Sequence, residues 1–454
     1  MLMECLAAGR GISLPANCSG GSKLLTRVVT DYSVIRKQFG LNIGRFEGIE
    51  EPIARIVGMN YILEAGRKMT CGALDNGEKP PVITALCKYY YTETLRNSVN
   101  DAMDILGGAG ISKGPRNIIA NAYVAAPIAV TVEGANILTR TLMVFGQGAI
   151  RCHPFVLKQV EAIENKDSKL FDKAFWGHVG HAITNTIRLV FLSITRGRLA
   201  RSQFKGISGK YSRKLVWAST AFAVMTDIAL ATQGGGLKQK EKLNGRFSDV
   251  LGWMYLATAT IRRFEEEECQ QQDKAIMNWS MQWCFHHIQE AITGILENMG
   301  PLFKPFAIWS RVNLLSSLPS DNLGSIIAQQ LQVPSEQRDR MTKGIYMSED
   351  VNDPLTRYES AFKHIVDTTP LARKVTQAMR KGVVPKGPLM AVLQQALEKD
   401  VITMDEYERL RVAEEKRYDA IQVDNFDLDT YKSRGCDATN FTQVNIVQRM
   451  KHSS

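Results

Sequence analysis

The sequence predicts an all-α protein: an antiparallel four-helix bundle over residues 1–150, followed by a second helical domain over residues 151–454. Two observations predict this fold class. Apolar residues recur at spacings of three and four along most of the chain, whereas the alternation typical of strands is scarce. Connections rich in glycine and proline separate the helical segments, as expected for neighbouring antiparallel helices.

The first block contains the helices of the predicted bundle. Pro81 is a favoured first residue of a helix, and the glycine-rich stretch after Leu106 ends that helix. Pro15 and the following Ser-Gly-Gly predict a break between a short helical piece at 2–8 and the first long helix. The predicted long segments are 24–39, 49–74, 81–106 and 129–143.

The second block is also predicted to be helical. The segment 215–232 is nearly long enough to span a membrane, but Asp227 and several Ser and Thr residues favour a buried helix. The predicted helices are 169–195, 215–232, 241–267, 274–299, 323–331, 354–366, 389–398 and 404–418.

Composition narrows the class of protein. The eight cysteines are scattered without a CxxC pair, which indicates a reducing compartment and argues against zinc and a disulfide framework. The net charge of +10 suits anionic partners such as CoA phosphates, a membrane surface or nucleic acid. Nucleic acid is the weakest of these, because no basic face interleaved with aromatic residues is present. The first ten residues resemble the interior of a helix, so we expect the natural polypeptide to begin earlier.

Glu133 is the one carboxylate between Asp104 and Glu161, and it lies among Ala, Ile and Val. An ionised acid is costly to bury in such surroundings, and an acid placed there is suited to act as a general base. Taken alone, such a residue is more often a negative charge near a helix N-terminus, where the helix dipole favours it.

Three further motifs precede Glu133-Gly134 in the predicted bundle: Arg36-Lys37-Gln38-Phe39-Gly40, Phe46-Glu47 and Gly107-Gly108-Ala109-Gly110. Each has an ordinary interpretation, such as a charge at a helix end or a glycine stop. In this order and on this helix pattern, they resemble the C-terminal helical domain of the acyl-CoA dehydrogenases. The long helical continuation resembles the large bacterial members that act on fatty acids.

The resemblance implies an FAD-dependent oxidation of long-chain acyl-CoA to trans-2-enoyl-CoA in fatty-acid β-oxidation. Glu133 would remove the α-proton, and the flavin would accept the β-hydrogen as hydride. Arg10 and Gly134 would contact the substrate. The residues implied to contact FAD are Arg36, Phe39, Glu47, Asp104, Gly107, Gly108, Ala135, Asn136 and Ile137.

The resemblance also implies a homo-oligomer in the cytoplasm that passes electrons to an acceptor the residues do not identify. Some positions depart from the family pattern. Glu47 and Asp104 stand where the family commonly has Gln, and Val124-Ala125 replaces an Arg-Asp pair. The leading helical domain and the β-domain of the family are not in this chain, so we expect it to be a fragment or a truncated product.

Two smaller groups of residues suggest other chemistry. His178 and His181 lie three apart on a predicted helix and could offer two metal ligands, but no third is evident, and no metal site is predicted. Cys284 lies near His286 and His287, yet all three share one helix, which favours an ordinary helix face over a nucleophile.

A basic run without a single acid lies between two predicted helices of the second block. It predicts peripheral contact with an anionic inner membrane. Two alternatives are a solvated loop and pairing with acids such as Glu265 to Glu268. The run also supports a rival function, a non-catalytic helical module that binds a membrane surface or a protein. The seven cations are Arg196, Arg198, Arg201, Lys205, Lys210, Arg213 and Lys214.

Overall fold

The computed structural model describes residues 7–78, 80–148 and 152–426. Helices make up nearly all of the regular structure, and a two-stranded antiparallel hairpin is the one sheet within the described residues. The predicted all-α fold is therefore confirmed.

Three long helices form the first layer. The elements up to the end of the third helix are α1 Ala7–Ile35, β1 Lys37–Gln38, β2 Leu41–Asn42, a 3₁₀ turn Ile43–Arg45, α2 Glu47–Asp75 and α3 Pro81–Leu106. The bounds of α3 agree with the prediction, because proline at the first position and glycine after the last are strong boundary signals.

The helix α1 is continuous where a break was predicted. It passes through Pro15 and the glycines that follow, so the prediction of two pieces was wrong. A Cβ on Gly11 would come within 2.7 Å of Thr84 Cγ2, and one on Gly21 within 3.0 Å of Leu95 Cδ1. These glycines let α1 lie close against α3, so packing between helices overrides the low helix propensity of the segment.

These contacts also fix the direction of the helices. Gly11 lies beside Thr84 and Gly21 beside Leu95, so α1 and α3 run parallel. The short hairpin returns the chain into α2, which runs antiparallel to both helices. Ser19 Oγ of α1 donates a hydrogen bond of 2.8 Å to Glu64 Oε2 of α2. The C-terminal ends of α1 and α3 therefore lie at the same end of the layer as the start of α2.

The fourth segment is broken rather than one long helix. It consists of α4 Gly108–Ile111, α5 Ala120–Thr131, α6 Asn136–Leu138 and a π-helix Thr139–Gln147. The prediction of a helix over 129–143 was wrong, because Glu133 and Gly134 have φ angles of 54° and 103°. Two successive left-handed residues cannot continue a right-handed helix.

The remaining helices pack around this layer. They are α7 Val156–Glu164, α8 Ser168–Ile194, α9 Gly206–Gln233, α10 Glu241–Glu266, α11 Lys274–Asn298, α12 Lys304–Val312, α13 Asp321–Gln330, α14 Glu336–Met341, α15 Pro354–Arg380, α16 Leu389–Glu398 and α17 Met404–Ala420. Short 3₁₀ turns occur at Gly234–Gln239, Gln271–Asp273 and Pro301–Phe303.

One hydrophobic core joins residues before and after position 150. It extends from Cys18 of α1 to Ala420 of α17, and a smaller core around Val392 joins α15, α16 and α17. Gly58 of α2 leaves room for the ring of Trp279 of α11. The later helices thus bury the outer face of the first layer.

A buried ionic cluster fastens α15 and α14 to α1. Arg338 pairs with Asp31 and with Glu359, and the Glu359 contact measures 3.2 Å. Arg27 Nε donates to Glu359 Oε2 at 3.0 Å. Burial raises the pKa of Asp31 despite the neighbouring Arg338 guanidinium.

Among the described residues, the stretch from Gly206 to Gln239, which is α9 with its 3₁₀ turn, is long and apolar enough to span a membrane by length and composition alone. About 44% of its most apolar part is buried inside the protein. It packs between α8 and α10. This packing is consistent with the predicted core helix.

Candidate active site

Glu133 lies on a sharp loop between α5 and α6. Thr131 is the last residue of α5, Val132 caps the helix, and Glu133 adopts φ 54°. A non-glycine residue in this region costs of order 1–3 kcal/mol and persists only where the surroundings hold it. The loop is therefore a place where the fold maintains an unfavourable backbone at a predicted catalytic residue.

Lys88 of α3 holds both sides of this loop. Its ammonium group is buried and donates to Val130 O at 3.0 Å, to Gly134 O at 2.7 Å and to Asn136 Oδ1 at 2.6 Å. Three acceptors match the three donors of an ammonium group. Burial lowers the pKa of Lys88 to about 8, and the carboxylate of Glu133 opposes this shift. Lys88 thus fixes the backbone before and after Glu133.

Asn136 links the same loop to the next turn of α3. Its Nδ2 donates to Thr92 Oγ1 at 2.9 Å and to Glu93 Oε1 at 2.7 Å. Its side chain is buried, whereas the neighbouring Ile137 is 79% exposed. Asn136 was predicted to contact the flavin, but the structure gives it these contacts within the protein.

The Glu133 carboxylate lies near two cations. Its Oε2 is buried and has no hydrogen-bond partner among the described residues. Arg10 of α1 is also buried, and Glu133 acts electrostatically on both Arg10 and Lys88. Burial lowers the pKa of Arg10, while Glu133 opposes the change. A carboxylate oxygen that is buried but unpartnered is free to accept a proton or a ligand contact.

The Arg10 guanidinium contacts a sulfur atom and, within the part of the chain that the structure describes, has one N–H donor without a partner. Its Nη1 lies 4.0 Å from Met143 Sδ, and its Nε is buried without a partner among the described residues. The structure therefore brings together four residues that were predicted for the catalytic and substrate site or its flank. They are Arg10, Glu133, Gly134 and Asn136.

The other predicted cofactor residues lie at the opposite end of the three-helix layer. Arg36 and Phe39 were expected within a helix, but α1 ends at Ile35 and both belong to the hairpin segment. Phe39 and Gly40 form its tip with φ angles of 51° and 78°, which suits a tight turn between strands. Phe39 is 93% exposed and contacts Phe46 edge to face at 6.3 Å.

The same end carries the remaining predicted residues. Glu47 is the first residue of α2, and Asp104 lies in the last turn of α3; both are exposed. Gly107 ends α3 with φ 56°, and nothing lies within 4 Å of the place where a Cβ would be at Gly107 or Gly108. This end of the layer therefore carries both an open glycine backbone and an exposed aromatic ring.

The separation between the two groups follows from helix geometry. From Arg10 to Arg36 the rise along α1 is about 39 Å, and from Lys88 to Gly107 along α3 it is about 28 Å. Ala135, Asn136 and Ile137 stay with Glu133, whereas the other predicted flavin contacts lie at the hairpin end. Within one copy of the chain, the predicted residues do not form a single site.

Sequence reasoning missed Lys88 and Glu93. Lys88 lies in the apolar stretch Ala85-Leu86-Cys87-Lys88-Tyr89-Tyr90. A single lysine among apolar residues was the one feature of the sequence that could have indicated its role. Glu93 contacts Asn136 and lines a polar cavity of about 610 Å³ next to the loop, together with Tyr89 and Arg140. Arg140 pairs with Asp249, so the charge in that wall is already compensated.

Three histidines and Asp227 meet where α7, α8 and α9 come together. His153, His181 and Asp227 each place one potential ligand atom within 4.8 Å of the others. However, His153 Nδ1 accepts from the backbone N–H groups of Phe155 and Val156 at 3.2 Å, so its Nε2 carries the proton that Asp227 Oδ1 accepts at 2.9 Å. This arrangement favours a hydrogen-bonded cluster over a metal site.

The cysteine and histidines of α11 do not form a nucleophilic site. Cys284 is fully buried, and burial raises the pKa of its thiol. A thiol held in its protonated form is a poor nucleophile. His287 Nδ1 lies 3.1 Å from Glu290 Oε2, and its ring stacks on Trp253.

The fold defines an all-α protein with a carboxylate on a left-handed loop, and comparison with known proteins identifies its family. The family described as "Acyl-CoA dehydrogenase, C-terminal, bacterial type" matches residues 150–426, and "Acyl-CoA dehydrogenase, C-terminal domain" matches residues 1–144. The chain belongs to the acyl-CoA dehydrogenase family.

Individual relatives agree with this assignment. A probable acyl-CoA dehydrogenase, FadE10 of Mycobacterium tuberculosis, is 26% identical over 278 residues, which are 58% of this chain and 41% of the relative. A mitochondrial very long-chain specific acyl-CoA dehydrogenase of Macaca fascicularis is 29% identical over 114 residues, or 25% of this chain and 17% of the relative. The chain thus spans less than half the length of these curated relatives.

A solved structure shares the fold. An acyl-CoA dehydrogenase from Bacillus anthracis, complexed with FAD, superposes with a TM-score of 0.55 at 16% sequence identity. The match covers 72% of this chain and 55% of the other.

Proposed function

We propose that this chain takes part in the FAD-dependent α,β-dehydrogenation of acyl-CoA, with Glu133 as the base. The carrying observation is the buried, unpartnered Oε2 of Glu133 on a strained loop that Lys88 fastens from both sides. Such a carboxylate is desolvated and held in one place, as removal of a weakly acidic α-proton requires.

The residues near Glu133 support distinct roles. The carboxylate accepts the α-proton, and Lys88 fixes the loop so that Oε2 stays at one position. Arg10 lies near the carboxylate, and its unused Nε can donate to an oxygen of the substrate. FAD, when bound, supplies the acceptor for the β-hydrogen as hydride.

The hairpin end has features that suit FAD. Arg36 has no carboxylate partner among the described residues, so its guanidinium can pair with pyrophosphate. Open space over Gly107 and Gly108 permits close approach of a cofactor to the backbone. The exposed ring of Phe39 offers a flat apolar contact.

The distance between these two ends supports a homo-oligomer. The hairpin end lies about 30–40 Å from Glu133 along the helices. A cofactor that touches both groups would therefore lie between two copies, one supplying Arg36 and the other Glu133. At an FAD concentration too low for Arg36→Ala to bind the cofactor, mixing this variant with the inactive Glu133→Gln should restore about a quarter of the active sites in a symmetric dimer. No recovery on mixing would contradict the shared site.

We further propose a long-chain substrate and a cytoplasmic location with peripheral contact to the inner membrane. The long-chain proposal draws on the Macaca relative, whose name specifies very long chains. The membrane contact draws on the seven cations of residues 196–214. Two of the four acids considered as their partners are engaged elsewhere: Glu266 pairs with Arg262, and Glu267 with Arg263 and Lys68.

The test of the proposed activity uses the complete polypeptide with FAD bound. Adding palmitoyl-CoA should bleach the flavin absorbance of the parent, and Glu133→Gln should lose this reaction while retaining FAD. Glu161→Gln is the matched control, because Glu161 is the next carboxylate along the chain and lies exposed on α7. Bleaching by Glu133→Gln at a rate within a few-fold of the parent would remove Glu133 from the role of base.

A further inference from the structure

A small cavity lined by cations lies at the junction of α8 and α9. We call it the cation pocket, and its volume is about 250 Å³. Five of the seven residues of the basic run contribute to it, while Arg201 and Lys205 do not. Its lining residues are Arg196, Gly197, Arg198, Lys210, Arg213, Lys214, Trp217 and Leu314.

The charge in the cation pocket is not compensated by the protein. Within the described residues, none of its five cations forms an ion pair, and the Lys214 ammonium donates to the backbone carbonyl of Leu315. Burial and, to a smaller extent, the neighbouring Lys210 together lower the pKa of Lys214 to about 8. Like charges crowded in this way are stabilised by a bound anion.

A larger apolar groove of about 610 Å³ begins at the same tryptophan. Trp217 lines both cavities, so the cation pocket and the groove are neighbours. The groove runs between α8, α9, α11 and α12. Its walls include Leu189, Ala221, Met225, Ile292, Phe306 and Trp309.

The rim of the groove is apolar and open. Val190 and Ile194 of α8 are 56% and 72% exposed, and Phe306 of α12 is 59% exposed. Exposed apolar residues that adjoin uncompensated cations match an amphiphile with an anionic head and an apolar tail.

We propose that the cation pocket and the apolar groove together bind one anionic phospholipid, with the phosphate among the cations and an acyl chain in the groove. The charge complementarity selects an anionic head, and the shared Trp217 places the start of the chain next to it. This inference deepens the proposed membrane contact, because it assigns that contact to a shaped site rather than to diffuse charge. It does not depend on Glu133.

The test compares two pairs of variants, and within each pair the change in charge or polarity is the same. Arg196→Gln with Arg198→Gln removes two cations that line the pocket, while Arg201→Gln with Lys205→Gln removes two exposed cations of the same run that do not. Ile194→Gln alters the groove rim. Ile183→Gln makes the same change at an exposed position of α8 outside the groove.

Binding is measured by calorimetry with monomeric palmitoyl lysophosphatidylglycerol, and by co-sedimentation with vesicles of phosphatidylcholine containing 20% phosphatidylglycerol. Palmitoyl lysophosphatidylcholine and inorganic phosphate are the comparison ligands. Arg196→Gln/Arg198→Gln should weaken lysophosphatidylglycerol binding about tenfold or more, and Ile194→Gln should weaken it several-fold. The two control variants should bind as the parent does, with unchanged circular dichroism.

Three outcomes would overturn the assignment. If both cation variants lost lipid binding equally while the parent still bound vesicles, the membrane contact would be diffuse and there would be no lipid site. Equal competition by inorganic phosphate, with no effect of Ile194→Gln, would indicate an anion site alone. Absence of binding by the parent to both lipid probes would remove the site and the membrane contact together, while the flavin test of Glu133 would be unaffected.

Discussion

Lys88→Met is the substitution that most sharply tests how the active-site loop is held. Methionine keeps the length and volume of the side chain but removes the Nζ that serves Val130 O, Gly134 O and Asn136 Oδ1. A hydrogen bond from a charged donor contributes roughly 1.5–3 kcal/mol. Removing a buried charge recovers several kcal/mol of desolvation. The net loss in the free energy of unfolding should therefore be small, about 1–2 kcal/mol.

The loss of activity should be much larger than the loss of stability. Lys88 joins Val130 O on one side of the left-handed loop to Gly134 O and Asn136 Oδ1 on the other, and the substitution removes this link. A displacement of about 1 Å at a catalytic group can cost on the order of 100-fold in rate. We expect kcat for acyl-CoA oxidation by the complete polypeptide to fall by about that factor. Lys158→Met, at an exposed position of α7, should behave as the parent.

The pH dependence separates the two effects further. Because the pKa of Lys88 is lowered to about 8 in the folded chain, the unfolded chain binds more protons between about pH 8 and 10. The contribution of Lys88 to the free energy of unfolding thus rises with pH in that window. The neutral amine nevertheless has only two N–H donors for three acceptors. We expect kcat to fall above pH 8 without a matching loss from this group in stability.

The assay is steady-state turnover from pH 6 to 10, with thermal unfolding measured in the same buffers. The reasoning would be refuted if Lys88→Met retained activity within threefold of the parent. An unchanged kcat of the parent up to pH 10 would likewise show that the ammonium form does not hold the loop.

Three further predictions concern other parts of the chain. Arg36→Ala should weaken FAD binding by roughly 1.5–3 kcal/mol, and an unchanged affinity in a fluorescence titration would exclude its contact with pyrophosphate. Gly58→Ala should destabilise the fold by about 1–3 kcal/mol through collision with Trp279, whereas Gly20→Ala, at an open helix position, should raise the melting temperature. Burial raises the pKa of Asp227, but the hydrogen bonds from His153 and His178 outweigh burial and lower that pKa below 3.8. The contribution of Asp227 to the free energy of unfolding is therefore present above pH 3.8 and is lost as the pH falls below it. Asp227→Asn should flatten this part of the acid unfolding curve.

The sequence predicted those elements whose signals are local. The helix Pro81–Leu106 carries a proline at its start and a glycine after its end, and the structure agrees with both bounds. The path of α1 through Pro15 was not predicted, because the contacts of Gly11 and Gly21 with α3 come from residues about 75 positions away. The left-handed turn at Glu133 was missed for a similar reason, since Lys88 lies 45 positions earlier.

The candidate site shows the same division. Motif order predicted Glu133 and Gly134 as site residues, and the structure adds the neighbours that hold their loop. Motif order did not indicate that Arg36 and Glu133 lie at opposite ends of the helical layer, because spacing along a chain carries no direction in space. That separation follows only from the parallel packing of α1 and α3.

The fate of the α-hydrogen tests the central claim most directly. The complete polypeptide with FAD is incubated with acyl-CoA deuterated at the α-carbon, and loss of deuterium to water is followed by mass spectrometry. A base at Glu133 predicts that the parent and Glu161→Gln release deuterium at the same rate, whereas Glu133→Gln releases it at least 100-fold more slowly with FAD still bound. Release by Glu133→Gln at the parental rate would show that another group removes the α-proton.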